Sequence, residues 1–180
     1  MVRSSIHSFE QARQQQIESR ADLAGTLSHE SVESKPADST SAVWVAGMRP
    51  HGSIPLAILR IPRIHLEAPV LRGTDEITLN RGAGQIAGTA APGERGNIGI
   101  AGHRDSFFQN LKDISRGDVI ELETTNASAT YVVERILITG PDDTSVLQPS
   151  GEQMLTLVTC YPFHFVGPAP RRFVVQASLK

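Results

Sequence analysis

The chain has 180 residues, 39% of them hydrophobic, and a formal charge of −2, which suits one compact core with an attached arm rather than two full domains. With no basic excess and no local Lys/Arg cluster there is no field to hold a phosphate backbone, which argues against a nucleic-acid partner. The single cysteine can form neither an internal disulfide nor a Cys-based zinc site, so Cys160 serves packing or chemistry.

Aromatic residues make up only 5% of the chain, whereas Gly and Pro number 15 and 11. That balance favours short aliphatic strands joined by tight turns, and hence an all-β fold. Residues 1–40 read as a polar N-terminal arm or linker and 41–180 as the folded domain. The arm carries Gln11, Gln14, Gln15 and Gln16, then SHESVESKPADSTS, with almost nothing to bury. Phe9, Ala12 and Ile17 could line a short helix, but one so polar needs a surface to dock on, and it could cover part of a groove. Residues 1–10 lack the basic-then-apolar order of a signal peptide, and no run of about 18 apolar residues occurs. As written, the chain is expected to be soluble.

From Ser53 onward the pattern changes. IPLAILRIPRIHLEAPVLRG alternates around Pro62 and Pro69, which suits strands at a sheet edge or corner. ITLNRGAGQI reads as a helical turn or loop leading inward. NIGIAGHRD is a short strand ending in a polar cluster, with Gly99 and Gly102 leaving room for a backbone or ligand close by. DVIELETTNASATYVVERILITG gives two strands around a turn at Asn126 to Ser128, with Tyr131, Val133 and Arg135 predicted on one face and Val132, Glu134 and Ile136 on the other. MLTLVTC and RFVVQASL complete at least six strands, enough for a barrel or sandwich, and closure would remove exposed edges.

Three residue types could make a site. Cys160 ends a strand and precedes Tyr161-Pro162, so it sits at a strand mouth; its thiol attacks only as thiolate and needs a neighbouring base or cation. If the last two strands pair antiparallel, the end of one meets the start of the next, and Arg171 or Arg172 shares that mouth. Adjacent strand residues face opposite ways, so only one of the two can reach a carbonyl oxygen there. His103 opens the polar set His103, Arg104, Asp105, Ser106 and could shuttle a proton. It is one of six histidines, and His164, in the loop after Cys160, rivals it by position. A zinc site of His103, Asp105 and a further histidine lacks any recognised spacing.

These residues resemble the sortase family of cysteine transpeptidases. TLVTC at 156–160 is similar to the signature TLxTC that ends in the nucleophile, IAGHR carries a histidine where the family has its catalytic one, and RRFVV matches the final strand with an arginine before an apolar run. The likeness covers roughly residues 54–179; TLVTCYPFHFVGPAPRRFVV is most similar to class D, with class E next. The resemblance implies a closed eight-stranded β-barrel with short helices. It implies His103 as base, Cys160 as nucleophile, Arg172 rather than Arg171 as the cation, and Thr159 as a residue lining the substrate groove. By the same likeness, a sorting signal of the Leu-Pro-x-Thr-Ala or Leu-Pro-x-Thr-Gly kind is cut after Thr. The Cys160 thioester then passes to an amine, from a cell-wall precursor or a pilin lysine. The site would be extracytoplasmic, with membrane association through an upstream helix that this sequence lacks. No metal or other cofactor is expected, and the chain is expected to be a monomer. Two rivals stay open: a non-enzymatic barrel that binds extended peptides, and a thiol hydrolase of another family, whose usual CGSCW or QACRG patterns are missing.

Overall fold

The computed structural model describes residues 6–7, 9–15, 54–164 and 167–180. Eight strands run β1 (Ala57–Ile61), β2 (Leu66–Arg72), β3 (Ala83–Gln85), β4 (Asn97–Ala101), β5 (Val119–Glu123), β6 (Ser128–Thr139), β7 (Met154–Tyr161) and β8 (Arg171–Leu179). They close into a barrel in the order β1-β2-β3-β4-β7-β8-β6-β5. The pairs β2/β3 and β4/β7 are parallel and the others antiparallel. Closure gives every strand a partner on both sides along at least part of its length.

The alternation in each strand sends one set of side chains inward. Leu59 and Ile61 of β1, Ile98 and Ile100 of β4, Leu155 and Leu157 of β7, and Phe173, Val175 and Ala177 of β8 join one core cluster. The two prolines fall where their chemistry permits. Pro62 opens the 3-10 turn that makes the β1–β2 corner, and Pro69 pairs with Ile58 at a level where β3 has not yet joined β2. The ITLNRGAGQI segment is a single helical turn, Glu76–Leu79, capped by the Asp75 carboxylate and leading into the buried start of β3.

One face assignment fails in β6. Tyr131 and Val133 do point inward, but the register shifts between Val133 and Arg135, and beyond it Ile136 packs on the core while Arg135 is exposed. A bulge adds one residue to the strand and exchanges its faces, which simple alternation cannot foresee.

Part of the arm is ordered against the barrel. Residues 9–15 are helical, Phe9 is 1% exposed, and Arg13 pairs with Glu123 at the end of β5. Glu123 also accepts from Arg60, which reaches Glu67 at 2.8 Å. Glu123 is level with Ser128, the first residue of β6, whereas Cys160 and Arg172 are level with Thr139, the last. The helix is therefore anchored at the opposite end of the barrel from the cysteine. The tether expected over 21–40, and Ile17, lie outside the described residues.

Gly99 and Gly102 do admit close neighbours, and those neighbours are side chains. A Cβ on Gly102 would stand 2.8 Å from the ring of Phe108, a residue with no exposed surface. Gly102→Ala should therefore force that ring aside and lower stability by about 1–3 kcal/mol, measured by urea denaturation.

Candidate active site

Strand β7 divides its side chains cleanly. Leu155, Leu157 and Thr159 are buried toward the interior, so Thr156, Val158 and Cys160 share the outward face. Cys160 is a half-buried free thiol. The ladder with β8 sets Arg172 directly opposite it and Arg171 opposite Tyr161. Arg172 is half-buried and Arg171 exposed. The Arg172 Nη1 donates to the carbonyls of Arg171 at 3.2 Å and Ala169 at 3.4 Å, so the guanidinium is braced by the loop that leads into its own strand.

On the other side of β7, β4 runs parallel and its last pair is Ala101 with Val158. The Gly102 N–H continues the contact to the Val158 carbonyl at 3.1 Å. Two residues beyond Val158 stands Cys160, and two beyond Ala101 stands His103. Histidine, cysteine and arginine thus occupy one level on three neighbouring strand paths, and neighbouring strands lie about 4.8 Å apart.

His103 is half-buried and its backbone is fixed from both sides. The Thr159 hydroxyl donates to the Gly102 carbonyl at 2.7 Å, while the His103 carbonyl accepts from the Phe108 N–H at 3.1 Å. His164 is exposed in the β7–β8 loop, and His65 is exposed in the β1–β2 corner with a left-handed φ of 52°. Neither continues the β4/β7 register. His29 and His51 lie outside the described residues, and His7 is exposed on the arm helix beside Gln11.

Thr159, expected in the groove wall, is 2% exposed and faces the interior, away from the Cys160 side of the strand. Its place suits a strut: it precedes the cysteine, grips the residue before the histidine, and so ties the two segments together. Arg104 is a second tie that the sequence did not signal beyond its polar company. It donates to the carbonyls of Pro162 and Gly167, each at 3.1 Å, and so binds the turn carrying His103 to the loop that follows Cys160. Tyr161, Phe163 and Phe173 pack edge-on and stacked, with ring centroids 5.2 to 6.3 Å apart, and support the mouth from within.

The arrangement offers a nucleophile, a proton carrier and a permanent cation, the three parts that acyl transfer needs. Among the described residues no three His, Cys, Asp or Glu side chains gather as metal ligands. The strut gives a clean test. Thr159→Val keeps shape but leaves the Gly102 carbonyl without its buried partner, which should cost about 1–3 kcal/mol in urea denaturation, whereas Thr159→Ser should retain most of that stability.

Residues 59–180 match the family model described as Sortase domain. The chain is similar to Sortase D of Bacillus subtilis (strain 168), 35% identical over 134 residues that cover 74% of this chain and 68% of that protein. It is also similar to Sortase A of Bacillus anthracis, 30% identical over 125 residues, with 67% and 58% covered. Among solved structures, a Clostridium perfringens Sortase D5 transpeptidase aligns with a TM-score of 0.64 at 31% identity, covering 70% of this chain and 79% of that one. Sortase A from Corynebacterium diphtheriae aligns with a TM-score of 0.65 at 31% identity, with 70% and 60% covered.

Proposed function

The chain belongs to the sortase family, whose members are cysteine transpeptidases, and from that premise we propose that Cys160, His103 and Arg172 carry the reaction on a sorting signal of the Leu-Pro-x-Thr-Ala or Leu-Pro-x-Thr-Gly kind. The observation that supports this most is the pairing of Cys160 with Arg172 across β7 and β8, with His103 two residues past the last β4–β7 pair, Ala101 with Val158.

The Cys160 thiolate attacks the carbonyl carbon after the signal's Thr side chain, and the carbonyl π electrons move to oxygen. A guanidinium one strand away can donate to that oxygen at any working pH. As the C–N bond breaks, the departing amine takes a proton from His103, leaving a thioester on Cys160. An incoming amine, from a cell-wall precursor or a pilin lysine, then gives its proton to His103 and displaces the thiolate. Water in its place yields slow hydrolysis. The bracing of Arg172 by the Ala169 and Arg171 carbonyls limits its reorganisation in either half.

Sortases are extracytoplasmic and membrane-associated, and among the described residues no helix is long and apolar enough to cross a membrane. We place this enzyme's work on that side of the membrane, as a monomer whose catalytic unit is 41–180. A barrel that merely bound extended peptides would not need Cys160, which separates the two readings.

Incubation with a panel of sorting peptides should trap a mass increase on Cys160 in the intact protein. Cys160→Ala should lose both peptide cleavage and amide formation while melting cooperatively; retention of activity within about tenfold would sink the reading. Arg172→Lys should remain impaired, since an ammonium cannot reproduce the guanidinium fork, and Arg172→Ala should fall by about 10² to 10³ in kcat. Arg171→Ala should stay within several-fold of the parent. His103→Ala should be nearly inactive and His164→Ala mildly affected; the reverse result would move the base to the β7–β8 loop.

A further inference from the structure

The connection from β7 to β8, residues 162–170, is poor in donors where it leaves and rejoins the barrel, because Pro162, Pro168 and Pro170 have no N–H. Its flanks Tyr161 and Arg171 form the last pair of the β7–β8 ladder, and among the described residues no backbone hydrogen bond ties 162–170 to the barrel. The loop presents carbonyls, so a group that fixes it has to donate. Its near arm also rests on Phe163, which packs with Tyr161 and Phe173. The far arm lacks such an anchor, since Gly167, Pro168 and Pro170 are all exposed.

Two guanidiniums supply the donors. Arg104, half-buried in the turn after His103, gives Nη1 to the Pro162 carbonyl and Nη2 to the Gly167 carbonyl, each at 3.1 Å. One planar fork thus spans both arms and closes the neck of the loop. Arg172 takes the tail, its Nη1 donating to the Ala169 carbonyl at 3.4 Å and the Arg171 carbonyl at 3.2 Å. Between the two grips the backbone is stiff. Gly167 turns with a φ of 103°, after which Pro168 and Pro170 have fixed φ and Ala169, standing before a proline, is driven toward extended backbone. Where Gly167 is held, the Ala169 carbonyl is held with it.

Resting on the function proposed above, we infer that Arg104 is a positioning residue for Arg172: it pins the β7–β8 loop by its neck, and the stiff tail of that loop keeps the Arg172 guanidinium opposite Cys160. Arg104 takes no part in attack or proton transfer. With Nη1 engaged by the loop, the other N–H groups of Arg172 remain for the oxyanion, and their aim depends on where the loop holds the first. A loop released at Gly167 carries Ala169 with it. The cation then has to be aimed afresh during each attack, which burdens the transition state and leaves peptide binding as it was.

The test uses the whole chain and a peptide of the Leu-Pro-x-Thr-Ala type, following the first-turnover acylation of Cys160 by intact mass in Arg104→Met, Arg104→Lys, Arg172→Ala and the double variant Arg104→Met/Arg172→Ala. Arg104→Met should slow acylation at saturating peptide about tenfold, with the half-saturating concentration within about twofold of the parent. Added to Arg172→Ala, the same change should alter the rate by less than about twofold, because the group it positions is already gone. Iodoacetamide displaces iodide at carbon and builds no oxyanion, so it should alkylate Cys160 of Arg104→Met at the parent rate and with the parent pH profile. Arg104→Lys should recover only part of the loss, one ammonium reaching one of the two carbonyls; should Arg104→Met not fold, the lysine variant carries the same comparison. An equal loss in both backgrounds would overturn the inference, since Arg104 would then act independently of Arg172. A displaced alkylation profile would overturn it by routing the effect through His103 or the thiol, and an unchanged acylation rate with a lowered melting temperature would reduce Arg104 to a stability tie. A parent chain that forms no acyl-enzyme with any sorting peptide, or an Arg172→Ala chain that acylates at the parent rate, would instead remove the functional reading, and this inference with it.

Discussion

The mouth of the barrel depends on β7 being hydrogen-bonded on both sides, parallel to β4 and antiparallel to β8. The parallel ladder sets the height of His103 against Cys160, and the antiparallel one sets Arg172 against it. A slip of one residue in either would turn every outward side chain of the moved strand into the core. Burial of Leu155, Leu157 and Val175 therefore guards the register of the reactive groups as well as the stability of the fold. The Thr159 hydroxyl and the Gly102 N–H, both engaged across β4 and β7, add a polar lock where the ladder stops. Geometry at the reactive end is thus inherited from packing a few residues further down each strand.

Much of this was legible in the chain because aliphatic runs and turn residues mark strands directly. MLTLVTC and RFVVQASL became β7 and β8, and the strand-end position of Cys160 followed from Tyr161-Pro162. Choosing between Arg171 and Arg172 needed a motif; the register pairs Arg172 with Cys160 and Arg171 with Tyr161. Other features were hidden for identifiable reasons. Side-chain alternation could not show the β6 bulge, since one extra residue inverts the faces beyond it. The buried, inward place of Thr159 follows from its being one residue from Cys160, so the alternation rule that separated the arginines could have found it. Arg104 gave no signal, because its partners are backbone carbonyls from the far side of the β7–β8 loop, and carbonyls leave no trace in sequence. The arm was read as having almost nothing to bury, with Phe9 lining a short helix in need of a surface; Phe9 is covered and Arg13 finds Glu123, a partner that the arm's own sequence does not indicate.

The two ends of the barrel are held in different ways. At the end away from the cysteine, Arg60 joins Glu67 and Glu123, and the arm helix adds Arg13. Such half-exposed pairs contribute modestly and weaken with salt. The reactive end is held instead by hydrogen bonds to backbone carbonyls, from the Thr159 hydroxyl and the Arg104 and Arg172 guanidiniums, and by the Tyr161, Phe163 and Phe173 cluster.

Strand β8 follows every other strand in the chain, yet it lies between β6 and β7 in the barrel. Until it inserts, β6 and β7 have no partner on their facing edges, Val175 and Ala177 are missing from the core, and the level of Cys160 has no guanidinium. Closure of the cylinder and completion of the site are consequently one event. On the roles proposed above, a chain that carries the thiol but lacks its final strand has no cation opposite Cys160, so competence for acyl transfer waits on the insertion of β8.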